Sequence, residues 1–132
     1  MMTPDRYAPQ MLGILRIVSA LLFLQHGTQK VLGFPASEMP QPEAFTLFWT
    51  GGILELVGGV LLILGLFTRP TAFILSGMMA VAYWMFHAPS SVYPVQNGGE
   101  LAIMFCFVFL YLVVAGPGAF AFGASRSQTA TA

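Results

Sequence analysis

The chain has 132 residues, 57% of them apolar and only 8% charged, and its five basic and five acidic residues cancel. That length suggests one domain, and so few charges could not cover a water-soluble particle, which carries about a quarter charged residues. There is no basic footprint for nucleic acid, and the single cysteine, Cys106, excludes an internal disulfide or a two-thiol redox motif.

A helix needs about 20 mostly apolar residues to cross the hydrocarbon of a bilayer. The first such stretch covers residues 11–33 and stops at Phe34-Pro35. Arg6 followed by an apolar run has the look of a secretory leader. However, Gln25, His26, Gln29 and Lys30 come before any cleavage site, and Ala36-Ser37-Glu38 lacks the small-x-small pattern, so a retained helix is expected. A polar loop with Pro40 and Pro42 leads to a second helix over 45–67, which ends before Arg69-Pro70. The third covers 71–87 and ends before Pro89; Pro70 suits a first helical turn, where a missing N–H does no harm. A turn-rich loop, 89–98, leads to the fourth helix, 99–115, closed by Gly116-Pro117-Gly118. The tail, 125–132, is small and polar and is expected to be disordered. The predicted fold class is all-α, a single domain over 1–124 built as a four-transmembrane-helix bundle. Three spans with one re-entrant helix is the alternative.

Four spans place Arg6, Arg16, Arg69 and Arg126 on one side and only Lys30 on the other. Basic residues favour the cytoplasmic side, so both termini are expected inside (N-in/C-in), with Trp49 and Trp84 near the outer interface. The expected setting is a bacterial or archaeal cytoplasmic membrane.

Ionisable groups within spans are costly and tend to face a bundle interior or a wet cavity. Arg16, Ser19, Phe23, His26 and Lys30 recur at every third or fourth position and share one helix face, while Leu15, Val18 and Leu22 form the opposite, lipid-facing side. Gly27 would let a neighbouring helix approach closely. Glu55 has Gly51 and Gly59 four positions before and after it, so small residues share its face and aim it at another helix. His87 ends the third helix, Asn97 can cap the fourth, and Glu100 suits the dipole of its first turn. Depth counted along the helices brings His26, Lys30, Glu55, His87, Asn97 and Glu100 to the outer half of the bundle. Arg16 stands near the inner face, either snorkelling to the surface or leading a polar track toward Glu55.

Each residue has an ordinary structural explanation. Lys30 and Glu55 suit an ion pair that fixes helix register, Arg16 a positive-inside anchor and Glu100 a helix-start charge. His26 suits a core histidine, His87 an interfacial one, and Gly51, Gly58 and Gly59 helix packing. Six polar groups at one depth exceed what register needs, and together they read as a ligand or proton-handling pocket. Two histidines and two carboxylates could in principle ligate a metal. No two of them fall at helical ligand spacing, and Lys30 opposes a cation by charge, so no metal is expected.

The series Arg16…His26-Gly27-x-x-Lys30, Gly52…Glu55…Gly58-Gly59…Gly65-Leu66-x-Thr68-Arg69 and Asn97-Gly98-Gly99-Glu100 resembles the DoxX family of small four-helix membrane proteins, over about residues 12–118. The family takes its name from a subunit of an archaeal thiosulfate:quinone oxidoreductase, and some members are linked to redox homeostasis or to an oxidoreductase complex. The resemblance marks Arg16, His26, Lys30, Glu55, Asn97 and Glu100; His87 is added from the residue reading.

Three functions fit. The first is a redox protein or oxidoreductase subunit binding a quinone or similar small amphipathic molecule. His26, Lys30, Glu55 and Glu100 would be its working residues, the histidine and lysine donating hydrogen bonds and the carboxylates relaying protons. Arg16, His87 and Asn97 would complete the binding site, glycine gaps on the second helix would admit the tail, and a membrane or exported redox partner would supply electrons. The second is a scaffold or assembly partner of a redox complex. The third is a small proton-coupled transporter working as a homo-oligomer.

Overall fold

The computed structural model describes residues 3–123, and over them the chain is helical with no strand. The expected disordered tail lies outside the described residues. Helix α1 spans Ala8–Leu32 and is preceded by a 3-10 turn, Pro4–Tyr7. Helix α2 spans Leu47–Leu64 and α3 spans Thr68–Ala82. A π-helical turn, Tyr83–His87, and a 3-10 turn, Ala88–Ser90, prolong α3. A single turn, α4 (Pro94–Asn97), precedes α5 (Glu100–Ala115).

The ends follow from local chemistry. Gly33 and Gly65, at φ 71° each, take the left-handed conformation that glycine adopts without strain and close α1 and α2. Gly65 therefore stops α2 three residues short of the expected end at 67. Thr46 starts it two residues late, its hydroxyl accepting the Trp49 N–H at 3.3 Å. Helix α3 begins at Thr68, three residues early, because Pro70 sits within its first turn. Among the described residues, three helical stretches are long and apolar enough to cross a membrane: Pro4–Leu32, Leu47–Leu64 and Thr68–Ser90. The 16 residues of α5 rise about 24 Å, a little short of a hydrocarbon core of about 30 Å.

Helix α1 lies along α2 and α3 along α5, and α2 against α3 joins the two pairs. Lipid tails are as apolar as leucine, so association depends on close van der Waals packing. Phe23 meets Phe105 and Phe109 edge-on at 5.3 and 5.0 Å, amid Ala20, Leu62, Leu75 and Leu112. Gly58 receives the Leu75 side chain and Gly59 receives Leu24. Gly51 departs from expectation: a Cβ there would meet nothing within 4 Å, and Gly52, one residue on, is the packing glycine. The α1–α2 contact lies about 100° around α2 from Gly51. The expected lipid-facing side of α1, Leu15, Val18 and Leu22, is exposed.

After α5 the chain folds back across the bundle end. Ala119 N–H donates to Pro9 O and Phe122 N–H to Leu64 O, each at 2.9 Å. The start of α1, the end of α2, the start of α3 and the end of α5 therefore share one end of the bundle.

Candidate functional site

The site begins with an approach of two backbones. A Cβ at Gly27 would come within 2.7 Å of Leu56 N and 2.9 Å of Gly52 O, so α1 and α2 touch main chain to main chain there. One turn on, the stem of Lys30 crosses Gly52, where an added Cβ would lie 2.9 Å from Lys30 Cβ. That carries the ammonium to Glu55, and Lys30 Nζ donates to Glu55 Oε1 at 2.7 Å. The two side chains differ in access: Lys30 is 33% exposed and Glu55 3%. Glu55 Oε2 is buried and has no hydrogen-bond partner among the described residues. A buried ion pair offsets its desolvation only when its remaining lone pairs are also met, so this oxygen marks an unfilled requirement.

His26, one turn before Lys30, is half-buried and turns its ring edge toward Phe105, with centroids 6.3 Å apart. Its ring makes no hydrogen bond among the described residues.

A second polar group closes the end of α3. His87 Nδ1 lies 3.1 Å from Asn97 O. That carbonyl only accepts, so Nδ1 is the donor. Asn97 is buried. Its amide donates to Tyr83 Oη at 3.2 Å and to Ser91 O at 3.1 Å, and its Oδ1 accepts the Gly99 N–H at 2.8 Å. Asn97 therefore builds the turn ahead of α5, whose N-cap is Gly99, rather than capping the helix itself. Tyr83 was missed in the sequence. Its signal was the spacing to His87, one turn apart on the same helix end, and its rings stack with that histidine at 6.4 Å.

The six residues expected in the outer half are therefore not joined in one hydrogen-bonded cluster among the described residues. Lys30 joins Glu55 and His87 joins Asn97, but no hydrogen bond links the two groups among the described residues. Glu100 departs furthest. It is exposed in the first turn of α5, beside an open apolar depression shared with Pro94, Val95, Leu101 and Met104. Its position puts the carboxylate outside the bundle wall, since Ala102 and Phe105 take the inward face.

Arg16 also corrects the expectation. It neither snorkels nor leads toward Glu55. It is fully buried, with Nε donating to Leu62 O at 2.7 Å, Nη2 to Phe120 O at 2.7 Å, and Nη1 to Pro117 O and to Ala119 O. Its charge is met by carbonyl oxygens of the returning C-terminal segment, which sequence spacing could not place. Arg69 does similar work at the surface, Nη1 reaching Val113 O at 2.7 Å and Val114 O at 2.8 Å. Those last carbonyls of α5 carry the negative end of its dipole. Among the described residues, no three His, Cys, Asp or Glu side chains gather in a way that could hold a metal ion.

Long apolar helices with polar groups turned inward define a multi-pass membrane protein. Residues 11–88 match the DoxX family, which is more than half the chain, and the protein belongs to that family. The match ends before Asn97 and Glu100. The chain is also similar to an uncharacterized protein of Haemophilus influenzae, 46% identical over 106 residues that cover 76% of this chain and 79% of that one. No solved structure matches it.

Proposed function

We propose that the protein is a redox-associated protein of the bacterial or archaeal cytoplasmic membrane that holds a quinone-type head group at Lys30 and Glu55. The observation that carries this reading is a charged pair between apolar helices, with one member buried at 3% exposure and the other reachable at 33%. A register device would have no need of an exposed ammonium or an unpartnered oxygen.

The residues fit such a group. Lys30 directs one N–H to Glu55 and has two more to offer an oxygen acceptor. Glu55 Oε2 is free to accept a hydrogen bond or a proton. Phe105 and the ring of His26 supply apolar and polar contact one turn deeper. Open space over Gly51, one turn before Glu55 on α2, leaves room for a substituent. A bound quinone would supply two-electron chemistry, with electrons coming from a partner protein. In this reading α1, α2, α3 and α5 all span the bilayer. Arg6, Arg16 and Arg69 lie at the end that holds the start of α1 and residues 116–123, and Lys30 at the other, which favours the first of these ends inside.

A scaffold for a redox complex is the second reading. It is favoured by exposed apolar side chains in the α1–α2 loop, Phe34, Met39 and Phe45.

The test is binding of ubiquinone and menaquinone analogues to protein in nanodiscs. Wild type is expected to bind, and Glu55→Gln to bind a quinol analogue about tenfold more weakly, with melting and oligomeric state retained. Absence of binding by wild type, with stable copurification of a redox enzyme, would favour the scaffold.

A further inference from the structure

We infer that the Lys30–Glu55 site selects the reduced, hydroxyl-bearing form of its ligand over the oxidised form, an inference that rests on the reading above. Paired with an ammonium on Oε1, the Glu55 carboxylate has no proton to give, and its second oxygen only accepts. Glu55 Oε2 is buried without a partner among the described residues. A quinone presents only acceptors, so beside Oε2 it would set oxygen against oxygen and leave the demand unmet. A hydroquinone presents an O–H donor to Oε2, and the oxygen of that same hydroxyl can accept from Lys30. Glu55 Oε2 and one of the two remaining Lys30 N–H groups are then met by one hydroxyl. Sites built to pair a buried polar group discriminate strongly against analogues that lack the matching donor, because the group is then left orphaned.

Access agrees with this. Lys30 is a third exposed, and the face of α2 one turn before Glu55 is open at Gly51, the side from which a ring would approach; the enclosed Glu55 carboxylate would have to turn toward it. The inference also predicts the behaviour of the amide variant. In Glu55→Gln the side-chain oxygen faces Lys30, which can only donate, so the NH2 takes the place of Oε2. The site would then present a donor where it had presented an acceptor, and the preference would vanish or reverse.

The experiment compares a decyl-benzoquinol, held reduced under anaerobic conditions, with its quinone and its dimethyl ether, by calorimetry on protein in nanodiscs. The expected result is quinol binding about tenfold or more tighter than either O–H-free analogue, with that ratio falling to unity or below in Glu55→Gln. Melting of the variant near wild type is the check on folding. Equal affinity for quinol and quinone in wild type would overturn the inference while leaving the proposed function standing. No binding of any of the three would overturn both. A preference that survives unchanged in folded Glu55→Gln would overturn the inference by placing the discrimination elsewhere.

Discussion

Replacing Arg16 by leucine is expected to destabilise the protein by about 4 kcal/mol, measured by denaturant or thermal unfolding in detergent micelles. The guanidinium is fully buried and reaches the carbonyls of Leu62, Pro117, Ala119 and Phe120. A leucine would fill much of the volume but leave those oxygens without their donor, Leu62 O in a buried position and the other three in partly buried ones. Each orphaned buried group costs about 1–3 kcal/mol, and partial re-pairing of the loop brings the sum below simple addition. Arg16→Lys should recover about half of the loss, because a single ammonium keeps the charge but cannot span carbonyls on two sides of a planar fork. The loss should also appear locally. Residues 116–123 return to the bundle partly through Arg16, so Arg16→Leu should expose them to limited proteolysis before the helices melt. Unfolding of Arg16→Leu within about 1 kcal/mol of wild type would contradict this account of the C-terminal segment.

Gly27→Ala is expected to cost about 2–3 kcal/mol and to abolish ligand binding at Glu55. Its new methyl would sit 2.7 Å from Leu56 N and 2.9 Å from both Gly52 O and Glu55 Cβ, and two of those three are backbone atoms that cannot swing aside. The helices would have to separate, moving Lys30 and Glu55 with them. Gly51→Ala on the same pair of helices is the control. It meets nothing within 4 Å, so it should stabilise α2 by about 0.5 kcal/mol through backbone entropy alone. Equal tolerance of alanine at positions 27 and 51 in melting would mean that α1 and α2 do not pass in backbone contact.

The helical class, the approximate spans and the partnership of Lys30 with Glu55 were legible because they depend on hydropathy, helical period and one small residue, Gly27. Helix ends shifted where a specific residue acted on the backbone, such as Gly65 in the left-handed conformation and Pro70 in a first turn. The choice between Gly51 and Gly52 was not legible. A one-residue step turns a helix by about 100°, and only the position of the neighbouring helix says which glycine faces it. Glu100 was misplaced for the same reason, since depth along α5 is readable and azimuth is not. Arg16 was misread because its partners are main-chain oxygens of a segment about a hundred residues away, and backbone carbonyls carry no mark in a sequence. The π turn at Tyr83–His87, which gathers Tyr83, His87 and Asn97, left no signal beyond their spacing.

A double-mutant cycle on Lys30→Met and Glu55→Gln, read as unfolding free energy in one detergent, asks most directly whether a lysine of α1 neutralises a carboxylate enclosed by α2. With a contact of 2.7 Å and the acid 3% exposed, Lys30→Met alone should cost about 3 kcal/mol, and adding Glu55→Gln should restore part of that loss. Effects of the two substitutions that simply add, within about 0.5 kcal/mol, would show that the side chains do not meet.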